Sequence, residues 1–413
     1  MPTARIYVLV ISSLLLTACG PNKRGEDDDG IPDAPPPDAP CPTTVSGKVF
    51  APNGTLPLYN VTVYLPMTAP GPFTDGVTCS QCTTSLPGGD YAHAKTDAEG
   101  KFVLDNVPPG TDVPIIITTG KWRRQLTIPY VAKCVDTPVA DGVLRLPRNR
   151  SEGDMPRIAM VTGGCDSLAC IFRKMGIDAS EFGTTSTGPQ RITWYNADGG
   201  ISPGSLSAPT ALWNNLDELK KFDMVINTCE CSEMNTNKTS PDLLRQYADL
   251  GGRVFGSHFH YTWMKNLVPQ WQGTANFNLA GASSTAPVMI DTSHPDGQAF
   301  SKWLTAVGAS TTPGVLNLVG YPQPSEAAVI APTTRWLYAS GANPVTHYMS
   351  FKTPVGTPQE MQCGKVVHAD LHVSEDSIVD ATFPSGCTAQ LSPDEKAMVF
   401  LLFDLGGCVD IIF

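Results

Sequence analysis

Positive charge is scarce in this chain. Lysine and arginine number 28 against 39 acidic residues, which sets the formal net charge at −11. Such a surface repels phosphate backbones, and no basic patch interleaved with aromatics reverses it, so nucleic acid is excluded as a partner. Long apolar runs are scarce as well. The N-terminal run Ile6–Leu16 holds eleven residues, too few to cross a bilayer, for which about 20 are needed. Cysteine is the exception to this sparseness. Twelve of the 413 residues is high for a reduced cytosolic protein and fits an oxidising compartment.

Arg5, the apolar run and Leu16-Thr17-Ala18-Cys19 together read as an export signal. The ending resembles the bacterial lipobox, which implies that residues 1–19 are a lipoprotein signal peptide and that Cys19 is acylated. Gly20 follows where an Asp would imply inner-membrane retention, so the expected location is the cell envelope, anchored to the outer membrane through Cys19. More than one acyl chain holds such a protein firmly. Residues 20–40 include Glu26-Asp-Asp-Asp29 and Asp33-Ala-Pro-Pro-Pro-Asp-Ala-Pro40. With almost no apolar side chains this segment cannot offset the entropy of ordering, so it is expected to be a solvated tether. Its proline content extends it by about 3 Å per residue.

Residues 41–150 read as all-β. Val45–Phe50, Val61–Leu65, Lys101–Leu104, Val113–Thr118, Gln125–Val131 and Val143–Leu146 alternate as strands, with turn signals such as Pro108-Pro-Gly110 between them. Short strands without a helical period predict a β-sandwich. The runs Val45-Ser-Gly47-Lys-Val49, Asn60-Val-Thr-Val63, Thr96-Asp97-Ala-Glu-Gly100-Lys-Phe102 and Asn106-Val-Pro-Pro-Gly110 resemble the carboxypeptidase regulatory-like domain, a prealbumin-like sandwich of the carbohydrate-binding-like fold group. Cys79-Ser-Gln-Cys82 lies in a Gly/Pro/Thr-rich insertion rather than at a strand-to-helix junction, which predicts a local disulfide instead of a redox pair. Cys41 and Cys134 are then expected to pair. Trp122-Arg123-Arg124 reads as a solvated hairpin edge, with a sugar or protein contact as the alternative.

Residues 155–413 read as α/β. Phe222–Thr228 is a short β-rich run; Ser240-Pro241-Asp242 opens a helix, and Gly251-Gly252 closes it. Arg253–Gly256 resumes the strand pattern, so the unit is a right-handed parallel crossover. Ligands in such sheets sit beyond the carboxyl ends of the strands, which singles out Cys229–Cys231 and Ser257–His260. Arg157–Thr162 reads as a strand, Ser167–Met175, Leu212–Lys221 and Gly297–Val307 as helices, and Trp336–Tyr338, Val345–Phe351 and Lys365–Val373 as strands that pair as hairpins. Ser392-Pro393-Asp394-Glu395 is a capping box that starts a final helix. The expected architecture is a three-layer α/β sandwich around a mainly parallel sheet. The strand Phe222–Ile226, the pattern Tyr247-x-x-x-Gly251-Gly252-x-x-x-Gly256-x-His258, His294-Pro295 and Gly364–Val367 running to His372 resemble the ThuA-like branch of the class I glutamine-amidotransferase-like fold.

That family places a Cys nucleophile at the turn after this strand, and here the turn reads Gly256-Ser257-His258. Without the thiolate, Cys-dependent amidotransfer is not expected. The catalytic candidates that remain are Ser257, His258, Glu230 and His372, although Glu230 also reads as an exposed loop carboxylate. His258-x-His260 and His368-x-Asp370-x-His372, if extended, each put ligands on one face. Those five residues form a candidate set for Zn²⁺ or Fe²⁺; the alternative is structural, hydrogen-bonded histidines. His258, His260, Tyr261, Trp263 and His372 are the candidate ligand contacts. Cys165, Cys170, Cys229, Cys231, Cys363, Cys387 and Cys408 are odd in number, so one stays free unless it bonds another chain. Cross-loop disulfides are expected among the first four, and the last three are expected to tie the late hairpin to the final helix. The primary expectation is a cofactor-free, lipid-anchored module that binds a glycan or envelope polysaccharide. The alternative is a metal-assisted or Ser-dependent hydrolase of a carbohydrate-related substrate.

Overall fold

Seven short strands build two small sheets at the start of the described chain. They are β1 (Thr44–Lys48), β2 (Thr62–Pro66), β3 (Asp90–Lys95), β4 (Lys101–Leu104), β5 (Gly110–Thr119), β6 (Trp122–Val131) and β7 (Asp136–Pro138). The sheets run β4-β1-β7 and β3-β2-β5-β6. Val45, Val63, Leu65, Phe102, Leu104, Ile115 and Ile117 are buried together, at the alternate positions that one face of a strand presents. Val143–Leu146 is not a strand. Leu144 and Leu146 are buried, but Arg145 makes only an isolated bridge to Phe50, with no partner strand to extend it. The structure is a computed structural model and describes residues 41–82, 85–166, 168–197, 205–278, 287–316, 328–339, 345–370, 372 and 383–409. Residues 1–40, which include Cys19 and the expected signal peptide and tether, lie outside the described residues, as do Leu371 and Val373 of the expected last strand.

The rest of the fold is a ten-stranded mixed sheet. Its strands are β8 (Ile158–Thr162), β9 (Phe182–Gly183), β10 (Ile192–Asn196), β11 (Met224–Asn227), β12 (Arg253–Ser257), β14 (Val288–Ile290), β15 (Val315–Leu316), β17 (Thr334–Ala339), β18 (Val345–Thr353) and β19 (Gly364–Ala369). A separate ribbon pairs β13 (Ala275–Asn276) with β16 (Ala328–Val329). The order is β15-β14-β17-β18-β19-β12-β11-β8-β10-β9. From β19 to β9 neighbours are parallel; the arm from β18 to β15 is antiparallel.

Helices cover both faces of the sheet. Ile158, Met160, Met224, Ile226 and Phe255 pack with α1 (Leu168–Lys174), α5 (Pro295–Ala306) and α6 (Pro393–Gly406). Ala159, Val161, Val225, Val254 and Val366 pack on the other side with α2 (Thr210–Trp213), α3 (Leu216–Leu219) and α4 (Pro241–Asp249). One helix was expected over 212–221, but Asn215 interrupts it and caps α3 by accepting from the Asp217 and Glu218 amides. Ser392 and Glu395 form the reciprocal capping box of α6. Ser240 precedes α4 without a side-chain cap bond.

The small sheets and the α1/α5/α6 face share one apolar core, and Cys41–Phe413 forms one contact unit. Trp122 is therefore buried edge-on to Phe403 at 6.1 Å, and Arg123 is buried beside it, so this stretch is neither a solvated edge nor an exposed stacking site. Two disulfides cross the seam. Cys79 bonds Cys363 and Cys82 bonds Cys408, which replaces the local Cys79–Cys82 pairing expected from their spacing: the insertion packs against the far end of the chain, so its thiols meet partners there. Cys41 bonds Cys134 and Cys170 bonds Cys387. The late cysteines are thus paired to earlier segments, not to one another.

At the seam, backbones touch. Gly120 has φ +53°, and a Cβ there would lie 1.8 Å from the Gly406 carbonyl oxygen. Gly120→Ala is expected to destabilise by roughly 1–3 kcal/mol from the left-handed backbone alone, with the clash added. Urea denaturation of the oxidised protein measures this, and an unchanged midpoint would disprove the close approach.

Candidate functional site

Three neighbouring parallel strands end on one line. Asn227 of β11 pairs with Gly256 of β12, and Gly256 with His368 of β19. Beyond that line the chain supplies Cys229 from the first strand, His258 from the second and His372 from the third. Asn227 is held there by the Trp213 indole N–H, 2.9 Å from its Oδ1, and donates to the Phe255 carbonyl. The loop after β8 runs against the same place. A Cβ on Gly163 would sit 2.1 Å from the Cys229 carbonyl oxygen, to which the Cys165 amide donates at 3.2 Å. Gly163 therefore serves close backbone approach, and Cys165 reaches across to bond Cys231. Cys229 is left as the free cysteine among the described residues.

Cys229 Sγ lies 3.7 Å from His258 Nδ1, and His372 Nε2 lies 3.0 Å from the same nitrogen. These three ligand atoms all fall within 4.8 Å of one another, so they could hold a metal ion. A tetrahedral zinc site, with bonds of about 2.3 Å to sulfur and 2.0–2.1 Å to nitrogen, has N···N edges of about 3.3 Å and S···N edges of about 3.6 Å. The two edges that meet at His258, 3.7 and 3.0 Å, are close to these values. His258 adopts φ +36° at the start of a 3₁₀ turn, His258–Tyr261. Its carbonyl oxygen accepts from His368 Nε2 at 2.9 Å, which fixes this strained residue.

The electrostatics favour neutral forms of Cys229 and His258. Burial, followed by the neighbouring His372 and His368, pulls the His258 pKa down to about 3. Burial and the Asp166 carboxylate push the Cys229 thiol up to about 12, against backbone hydrogen bonds from Phe259 and Cys231. A thiolate–imidazolium pair of the kind that activates a cysteine nucleophile is disfavoured.

The other candidates serve different ends. His260 was expected beside His258, but the chain there turns instead of extending. His260 Nε2 donates to the Thr228 carbonyl at 2.9 Å and Nδ1 accepts from the Trp263 indole at 3.2 Å, which occupies both nitrogens. Trp263 is buried with it. β19 ends at Ala369, so His368, Asp370 and His372 do not share one strand face; His368 and Asp370 are buried, and only His372 joins the site. Ser257 is buried and donates to Asp166, not to an imidazole. Glu230 is not an exposed carboxylate. It is buried in an ion pair with Lys238, Nζ to Oε2 2.7 Å, with both side chains fully enclosed. Tyr261 is half-buried at the rim, hydrogen-bonded to Glu233. Cys229 was read from sequence as a disulfide partner, and the odd cysteine count was the signal that one thiol must remain.

Neither a family model nor a curated protein matches the chain. Among solved structures, two interface mutants of a type II cohesin–X-dockerin complex from Acetivibrio cellulolyticus are similar over part of it. One, altered at the N-terminal interface, is 18% identical and covers 36% of this chain and 78% of its own, with a TM-score of 0.18. The other, altered at the C-terminal interface, is 19% identical and covers 36% and 79%, with a TM-score of 0.17. Likeness at that level carries no argument about fold or role.

Lys238→Met would leave Glu230 as an uncompensated buried charge and is expected to cost about 3–5 kcal/mol. Lys238→Met with Glu230→Leu should recover most of it. Thermal unfolding of the three proteins checks this, and a double variant no better than the single would disprove the pairing.

Proposed function

We propose that this chain is a lipid-anchored cell-envelope protein that holds one thiophilic divalent metal ion, Zn²⁺ first, between Cys229, His258 and His372. The carrying observation is the convergence of a thiol and two imidazoles within 4.8 Å of one another where three parallel strands end. Imidazole and thiolate together suit zinc better than magnesium or calcium, which take oxygen donors. Three protein ligands leave a fourth position for water or substrate, the arrangement of hydrolytic zinc sites. Cys229, His258 and His372 would hold the ion; the His368 bond to the His258 carbonyl would orient its neighbour. In this reading the domain is a ThuA-like fold without the amidotransferase nucleophile, and the sandwich before it is a prealbumin-like module. The hydrolytic substrate class is carbohydrate-related, and anchorage is through acylated Cys19 at the outer membrane.

Glycan binding without metal is the second reading. It is favoured by the half-buried rings that lead away from the site: Phe259 at 4.0 Å from His258, then Tyr261 and Phe277 at successive spacings of 6.3 Å. Such rings offer faces for sugar stacking.

Elemental analysis of protein purified without chelator is expected to give about one zinc per chain. Cys229→Ser and His372→Ala should each lose it while keeping the unfolding midpoint of zinc-free wild type. Zinc-free wild type that does not take up added Zn²⁺ would sink the metal reading; glycan-array binding by that same protein would support the second.

A further inference from the structure

Cys231 stands two residues after the ligand Cys229 but is held out of the site by its bond to Cys165. The backbone brings it close all the same. Cys231 takes φ +64°, which folds the chain back, and its backbone N–H hydrogen-bonds the Cys229 sulfur. The sulfur of Cys231 is only a Cα and a Cβ further on from that nitrogen. The other half of the bridge is fixed independently. The Cys165 amide donates to the Cys229 carbonyl at 3.2 Å, and a Cβ on Gly163 would lie 2.1 Å from the same oxygen. Opening the S–S bond therefore leaves Cys165 anchored through its backbone and returns side-chain rotation to Cys231, beside a sulfur of the ligand set.

The bridge can be reached. Cys231 is exposed and Cys165 half-buried, and exposed disulfides are the ones that serve as labile, regulatory links. The bridge Cys170–Cys387, by contrast, is buried. Ligand number decides what a zinc site does: three protein ligands leave a position open for chemistry, whereas a full Cys₂His₂ set is closed and structural. Resting on the metal reading above, we propose that Cys231 is a redox-gated fourth ligand, which closes the site of Cys229, His258 and His372 when the Cys165–Cys231 bond is reduced. The reductant is a dithiol. It attacks one sulfur of the bridge, the S–S bond breaks, Cys165 and Cys231 leave as thiols with the two electrons, and the dithiol becomes a disulfide. Cys231 then gives its proton to solvent and takes the fourth position. The oxidised chain is the open form and the reduced chain the closed one.

Cobalt(II), whose sulfur-to-metal absorption grows with the number of bound thiolates, is the probe. Oxidised wild type should take up about one cobalt per chain with the absorption of a single thiolate. Cys165→Ser leaves Cys231 unbridged in an otherwise oxidised chain. It should show about twice that absorption and bind zinc at least tenfold more tightly. Cys165→Ser with Cys231→Ser should return to the single-thiolate level. Should Cys165→Ser fail to fold, wild type reduced with a phosphine, desalted and then loaded should show the same doubling. Alkylation and peptide mass mapping would confirm that Cys165–Cys231 has opened. One thiolate in every form, or a doubling that survives Cys231→Ser, would overturn the proposal and leave the metal reading intact. No uptake of cobalt or zinc by oxidised wild type would overturn both.

Discussion

Everything at the candidate site depends on the parallel register of β11, β12 and β19. Asn227, Gly256 and His368 lie abreast, and the chain leaves each strand within a residue or two of that line. Cys229, His258 and His372 therefore arrive together although they are distant in sequence. A slip of one residue in β12 would exchange its two faces and bury His258 under a helix layer. The register is secured by what flanks it: Asn227 bonded to Trp213 and Phe255, and Gly163 close enough to the Cys229 carbonyl that no side chain fits.

Much of this was legible in the sequence because the crossover is locally encoded. Apolar β-branched runs flank a helix with Pro at its start and Gly after its end, and such signals need no tertiary context. Location of the site followed from that unit, since parallel strands present their carboxyl ends together. Ligand identity did not follow. Treating His258-x-His260 as extended assumed that the strand continued, yet His258 takes φ +36° and opens a 3₁₀ turn. Nothing in the residue types announces a left-handed histidine; the conformation is imposed by the packing around it. The same reason separates His368 from His372, because β19 stops at Ala369.

Disulfide connectivity was the least legible feature. Spacing suggests near neighbours, and Cys79-Ser-Gln-Cys82 suggests them strongly. Yet both thiols leave the insertion to bond Cys363 and Cys408, because the sheet on which the insertion sits presents its outer face to α6 and a shared apolar core forms between them. Closing loops of that length removes much conformational freedom from the unfolded chain, about 6 kcal/mol for each link taken alone in the chain-entropy account. Together with the left-handed glycine pressed on the Gly406 carbonyl, these links bind the small sheets to the large one.

The pairing of Cys231 with Cys165 also decides what kind of chemistry the crevice can support. It takes one of two nearby thiols out of play and leaves Cys229 buried, its pKa held up by that burial and by Asp166. The imidazole that faces it is held neutral by burial and by two further histidines. In the absence of a cation, a proton would have to move from a reluctant thiol to a reluctant base, and a cysteine nucleophile gains nothing from such a partner. A divalent cation reverses both penalties at once: it takes the sulfur as thiolate and uses the His258 imidazole in the neutral form that burial already enforces. The features that disfavour a Cys–His dyad are thus the ones that suit a ligand set.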